Sequence, residues 1–179
     1  MAGLARNRRG RPLQIPSLRL VWMGVVAFAA KLGLDVLPDA AAETMFMRPA
    51  ARLASLYLGA AFDPSSMTLS ARGVTLVVVR ACSATDFFSM VLAILAFSIP
   101  VRRLALRLPA AIAAAWAVAV VANAVRLVLL VYADGFFPAS QIPVVHMAIG
   151  IAVFLPVFAL LWYTLAVRKE TPHENIVAE

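Results

Sequence analysis

The chain of 179 residues is 63% hydrophobic and 14% charged, with a formal net charge of +7 and a mean hydropathy of +0.90. A soluble domain of this size needs a polar exterior, so the composition makes the bilayer the solvent for most of the chain. The excess positive charge does not point to nucleic acid. Its basic residues cluster beside apolar runs, where anionic headgroups and membrane topology account for them.

In chain order, residues 1–17 form a basic leader carrying Arg6, Arg8, Arg9 and Arg11, with Gly10, Pro12 and Pro16, expected to be unstructured and cytoplasmic. A signal peptide opens in the same way, but no compelling small-residue cleavage site follows Val21–Leu34 beyond Ala40-Ala41-Ala42. Retention as an uncleaved span is therefore expected. A single membrane domain is expected over 18–167, with spans at about 18–37, 85–101, 108–132 and 146–167, each near the ~20 apolar residues that a crossing needs. Lys31 near the far end of the first span can snorkel toward headgroups. Residues 168–179 form a cytoplasmic tail.

The segment 38–84 is too mixed to cross a membrane easily and is expected to lie outside. Phe46, Ala50, Leu53 and Tyr57 recur at helical spacing, opposite Arg48, Arg52 and Ser55, which predicts an amphipathic helix at the interface, limited in length by Pro49. Met67–Ala71 and Val74–Val79 are β-prone around Arg72-Gly73, which predicts a short outer hairpin. The expected fold class is thus an all-α integral membrane bundle of about four transmembrane helices, with an interfacial amphipathic helix and a short outer β-hairpin.

Arg6, Arg8, Arg9, Arg11, Arg19, Arg102, Arg103, Arg107, Arg168 and Lys169 are ten of the sixteen Lys and Arg residues. All fall on one side of this scheme, whereas Asp35, Asp39, Glu43, Asp63, Asp86 and Asp134 fall on the other. The positive-inside rule then puts both termini in the cytoplasm.

That topology gathers three chemically able residues in the outer leaflet. Cys82, the lone cysteine, precedes the second span; Arg126 lies about 9 Å below the outer end of the third; His146 opens the fourth. A thiol needs a base to become a strong nucleophile, imidazole titrates in the useful range, and a fixed guanidinium can stabilise a thiolate or an oxyanion. Each residue also has a purely structural reading: Cys82 as a small packing residue, His146 as an interfacial side chain, Arg126 as a snorkelling cation. Asn123, one helical turn before Arg126, can hold a substrate carbonyl, orient Arg126 or bond between helices. Asp86 can orient His146, pair with Arg126 or favour the helix dipole. A single cysteine and two histidines, with His173 in the tail, give neither a Cys-rich zinc site nor a His-Glu-x-x-His motif. No metal or cofactor is expected.

The stretch Arg80-Ala81-Cys82-Ser83-Ala84, followed by Asn123-Ala124-Val125-Arg126 and by His146 opening the last span, resembles the exosortase/archaeosortase family over about residues 20–167. The small size and the stretch from Lys31 to Phe97 look most like the exosortase K branch. The resemblance implies a membrane-embedded cysteine transpeptidase, with Cys82 as nucleophile, His146 as general base and then acid, and Arg126 as charge stabiliser. It also implies a substrate: a membrane-anchored protein with a C-terminal sorting signal, cut at the outer face of a bacterial cytoplasmic (inner) membrane. Two positions depart from the family's pattern: Ala84 stands where Gly is frequent, and Arg80 where an acid is frequent. The competing reading is a non-catalytic assembly subunit or lipid- or anion-binding scaffold, in which Arg126 holds a phosphate or carboxylate and Cys82 merely packs.

Overall fold

The computed structural model describes residues 17–79, 84–99, 103–134, 136–138 and 141–166. Helix α1 (Ser17–Asp35) leads through Pro38 into an almost unbroken helical stretch. This comprises α2 (Asp39–Ala42), a π-helical turn (Glu43–Met47) and α3 (Arg48–Leu58), and it ends where Gly59 takes a left-handed conformation at φ 60°. Three short strands follow, β1 (Ala61–Asp63), β2 (Thr68–Ala71) and β3 (Val74–Val77), then the long helices α4 (Thr85–Ser98), α5 (Leu104–Asp134) and α6 (Ile142–Ala166).

Pro49 does not limit the amphipathic helix as its sequence suggested. A proline inside a helix cannot donate to the carbonyl four residues back and crowds it. Here that carbonyl is Met45 O, which lies in the π-helical turn and accepts instead from the indole of Trp116 on α5, at 2.6 Å. The widened turn and the tryptophan together absorb the defect, so the helix runs on to Leu58.

The buried face of this segment also differs from the expected one. Phe46 and Ala50 are buried, but Leu53 is 42% and Tyr57 75% exposed. The inward face is instead Met47, Ala50, Ala51 and Ala54. Alanines let the α3 backbone approach α5 closely, against Val120, Ala124, Leu127 and Val128, whereas large side chains on that face would hold the helices apart. Size, not hydrophobicity alone, decides which side turns in.

The sheet is antiparallel in the order β1-β2-β3. Ala71 pairs with Val74, so Arg72 and Gly73 form a two-residue turn with φ 55° and 81°, the left-handed pair that matches strand twist. The expected hairpin is present, and β1 adds a third strand to it. Leu69 and Ala71 point into the same core as α3 and α5 while Ser70 and Thr75 face out, as the two-residue period requires. Arg72 reaches over the Tyr132 ring, 4.5 Å from its centroid, and so ties the turn to the far end of α5.

Helix α5 is the axis of the molecule. Beside α3 and the sheet it carries a second set of contacts, in which Ala111, Ala115, Ala119 and Ala122 receive Phe87, Phe88, Val91 and Leu92 of α4. Phe88 meets Phe46 edge-on at 5.5 Å. Helix α1 packs along α4, and α6 closes against α4 and α5. By length and composition, Leu106–Asp134 and Ile142–Thr164 can each cross a membrane, and the pair Val21–Asp35 and Asp39–Leu58, bent by 115°, qualifies jointly. Helix α4 is apolar but has 14 residues, about 21 Å of helix against a hydrocarbon core of about 30 Å. Two or three candidate spans among the described residues, where four were expected, make the chain a multi-pass membrane protein.

Candidate functional site

Arg126 sits in the buried flank of α5 at 7% exposure, where a guanidinium in an apolar run is expensive without partners. Its reach is toward α6. Nη2 lies 3.2 Å from both Nδ1 and Nε2 of His146, so it is equidistant from the two ring nitrogens. A guanidinium can only donate, and in either neutral tautomer one ring nitrogen is an acceptor. The contact joins residues twenty positions apart on different helices.

The rest of the cradle comes from α6 at intervals of one helical turn. Gly150, four residues after His146, lies against the guanidinium with room for no more than a β-carbon's ordinary contact. A β-carbon there would stand 3.5 Å from Nε, 3.6 Å from Cζ and 3.7 Å from Nη2. Phe154, four residues further on, presents its ring 5.7 Å from Cζ, within the range of a cation–π contact. Phe154 is itself stacked on Phe87 of α4, with centroids 4.3 Å apart and planes at 16°. His146, Gly150 and Phe154 thus form one stripe on which Arg126 lies, and α4 supports it from beneath.

Among the sequence-predicted residues, Arg126 and His146 are brought together. Cys82 lies outside the described residues, as do Arg80 and Ser83. Asn123 is on α5, fully buried at 0% exposure. Asp86 has its carboxylate 2.8 Å from Lys31 of α1, which also pairs with Asp35. Asp86 stands in the first turn of α4, as its helix-dipole reading has it, and pairs with a lysine 55 positions upstream, so that Lys31 bridges two carboxylates instead of reaching out alone. Ala84, two residues after Cys82, takes a left-handed conformation at φ 57° and ψ 22° and caps α4, where its carbonyl accepts from Phe88 N at 2.9 Å. The turn that a glycine would favour is retained by alanine, at a steric cost of about 1–2 kcal/mol.

Gly150, Phe154 and Phe87 are the parts of this site that sequence reasoning missed. The four-residue spacing from His146 was readable, but without knowing that Arg126 faces α6 nothing distinguished it from ordinary core. Among the described residues no group of three His, Cys, Asp or Glu side chains converges as a metal-ligand set. What the geometry offers chemically is a base in contact with a fixed cation, half-buried at the junction of α5 and α6.

A family model for transmembrane exosortases matches residues 16–163. No curated protein matches the chain, and no solved structure matches it.

Proposed function

The chain belongs to the transmembrane exosortase family, and we propose that it is a thiol-dependent transpeptidase that cuts C-terminal sorting signals from membrane-anchored proteins. The exosortase K branch is the part of the family that its small size and the stretch from Lys31 to Phe97 fit best. The observation that carries the mechanism is the contact between Arg126 and His146. A base and a charge stabiliser that resemblance assigns to one reaction, separated by twenty residues, meet across two helices.

In this reading Cys82 is the nucleophile. It precedes Ala84 by two residues, and Ala84 caps α4, the helix whose Phe87 stacks against Phe154 beneath Arg126. His146 removes the thiol proton as sulfur adds to the scissile carbonyl. Arg126 stabilises the resulting oxyanion, since a preorganised donor in a dry site contributes most where charge develops. The imidazolium then gives its proton to the leaving amine, and the carbon–nitrogen bond breaks to leave a thioester on Cys82. An acceptor nucleophile or water, deprotonated by His146, attacks the thioester and releases the thiol. The contact with Arg126 orients the imidazole for that role.

Bilayer embedding suits the substrate. A protein held by its own terminal helix arrives laterally, and its cut site needs only to match the depth of the thiol. The arrangement we favour has α1, α4, α5 and α6 as four crossings, both termini in the cytoplasm and the site facing outward. The direct test is co-expression with candidate proteins that end in a short motif, an apolar helix and a basic tail. Processing is expected with the native chain and abolished by Cys82→Ala. Undiminished processing by Cys82→Ala would leave the scaffold reading in its place.

A further inference from the structure

Strand β3 lies at an edge of the sheet, because the order β1-β2-β3 leaves one of its sides unpaired among the described residues. The register decides which backbone groups face that open side. Ala71 pairs with Val74 across the two-residue turn, and Val78 N donates to Met67 O at 2.8 Å. Bonded and non-bonded positions alternate along an antiparallel ladder, so Val74, Leu76 and Val78 turn their N–H and C=O groups toward β2. Those of Thr75, Val77 and Val79 point away from it, a row of three donors and three acceptors without a backbone partner among the described residues. The Val77 and Val79 side chains beside that row are 55% and 48% exposed. The run Val74-Thr75-Leu76-Val77-Val78-Val79 has no charge and no proline, the usual devices that keep an open edge from pairing. Lipid tails cannot satisfy such a row either.

We propose that the open edge of β3 docks the substrate segment around the cut site, as an extended strand added to the sheet. The proposal rests on the transpeptidase reading and adds to it the mode of recognition. Two observations select this occupant. The strand leads to the nucleophile of that reading: Val79 precedes Cys82 by three residues, at most about 11 Å of chain. Its direction also suits a protein held by a C-terminal helix. Arg72, just before β3, lies over Tyr132 near the outer end of α5. Ala84, after it, opens α4, whose Phe87 stacks on the Phe154 ring beneath Arg126. The chain therefore descends from the outer end of α5 toward the level of Arg126, and a substrate entering the bilayer by its C-terminus descends the same way. The added strand runs parallel to β3. Main-chain bonds hold such a guest, while every second side chain lies beside Val77 and Val79. Recognition then resides mainly in the substrate backbone, with apolar or β-branched residues favoured at alternate positions.

The probe is an acetylated octapeptide of alternating Thr and Val, N-methylated on the Val amides, which keeps one bonding edge and cannot stack on its own kind. In the native chain in neutral micelles, amide exchange at Thr75, Val77 and Val79 is expected to be fast. Millimolar probe should slow it by about tenfold or more, as for backbone groups newly paired, and should also slow iodoacetamide labelling of Cys82. A version methylated on every amide should do neither. Val77→Pro removes an outward donor, a change that strand edges tolerate, and should cancel most of both effects. Continued protection of Leu76 and Val78 in that variant separates a blocked edge from a lost hairpin. Exchange or labelling unmoved by the probe, equal action of the fully methylated peptide, or undiminished effects in a Val77→Pro chain with its hairpin intact would overturn the proposal. So would native exchange that is already slow and quickens on dilution, which marks pairing between two copies of this chain. Failure of the transpeptidase reading is read separately, as processing that survives Cys82→Ala.

Discussion

Lys31 and Arg126 each put a positive charge into an otherwise apolar helix, and their surroundings are opposite. Lys31 is exposed and sits between two carboxylates, Asp35 on its own helix and Asp86 on α4. Arg126 is buried, and its neighbours among the described residues include an imidazole, an aromatic face and a glycine. The first arrangement neutralises a charge and fastens α1 to α4. The second keeps a buried cation beside a half-buried imidazole. The first cluster is a fastening between helices, and the second is the candidate site.

Substituting the two cations tests that contrast with the largest effect. Arg126→Ala is expected to reduce processing by about 10²–10³-fold, the usual loss when a preorganised oxyanion donor is removed. Lys31→Ala should stay within about threefold, because exposed ion pairs contribute little. Comparable losses in both would erase the distinction. Gly150 sharpens it next. Gly150→Val should lower processing roughly tenfold, since misplacing a catalytic group by about 1 Å can cost up to 10²-fold, while the protein remains folded. Gly150→Ala should have little effect, because its β-carbon makes ordinary contacts at 3.5 Å and beyond.

Two smaller effects concern backbone and loop. Ala84→Gly relieves a left-handed alanine at φ 57°; set against the extra entropy of glycine in the unfolded chain, it should raise stability by roughly 0.5–1 kcal/mol in a denaturant titration in micelles. A loss of stability would mean that the alanine methyl does more by packing than it costs in strain. Asp63 accepts from Ser65 N at 2.8 Å and from the hydroxyls of Ser65 and Ser66 at 2.7 and 2.6 Å, which holds its carboxyl down to about 2 from an ordinary 3.8. A depressed carboxyl stabilises the fold above its unfolded value and loses that contribution as pH falls. The β1-β2 loop should therefore loosen between about pH 4 and 2, seen as faster cleavage there by an acid-active protease, and Asp63→Asn should remove most of that dependence.

Much of this was legible in the sequence where one residue type admits few roles. An arginine inside an apolar run and a histidine opening the next span fell in the same leaflet, and a turn at Arg72-Gly73 followed from its place between two β-prone runs. Other features were hidden because they are settled between distant segments. The spacing of Phe46, Ala50, Leu53 and Tyr57 is amphipathic, yet α3 turns Ala50, Ala51 and Ala54 inward, because close approach to α5 outweighs burying a leucine and a tyrosine. Pro49 looked like a terminus, and it took Trp116, 71 positions from Met45, to make it tolerable. Asp86 found Lys31, and Gly150 gained its role only from the direction in which Arg126 points. Strand β1, three residues long, carries too short an alternation to be read by itself.

Because the chain holds a single cysteine, alkylation reads one thiol without ambiguity. Iodoacetamide labelling of Cys82 from the outer face, followed across neutral pH in the native chain and in Arg126→Gln and His146→Gln, is the most direct measurement of a shared site. The account predicts labelling faster than a free thiol near pH 7, slowed about tenfold or more in either variant as thiolate is lost. Native labelling slower than a free thiol, or rates unmoved by both substitutions, would contradict it.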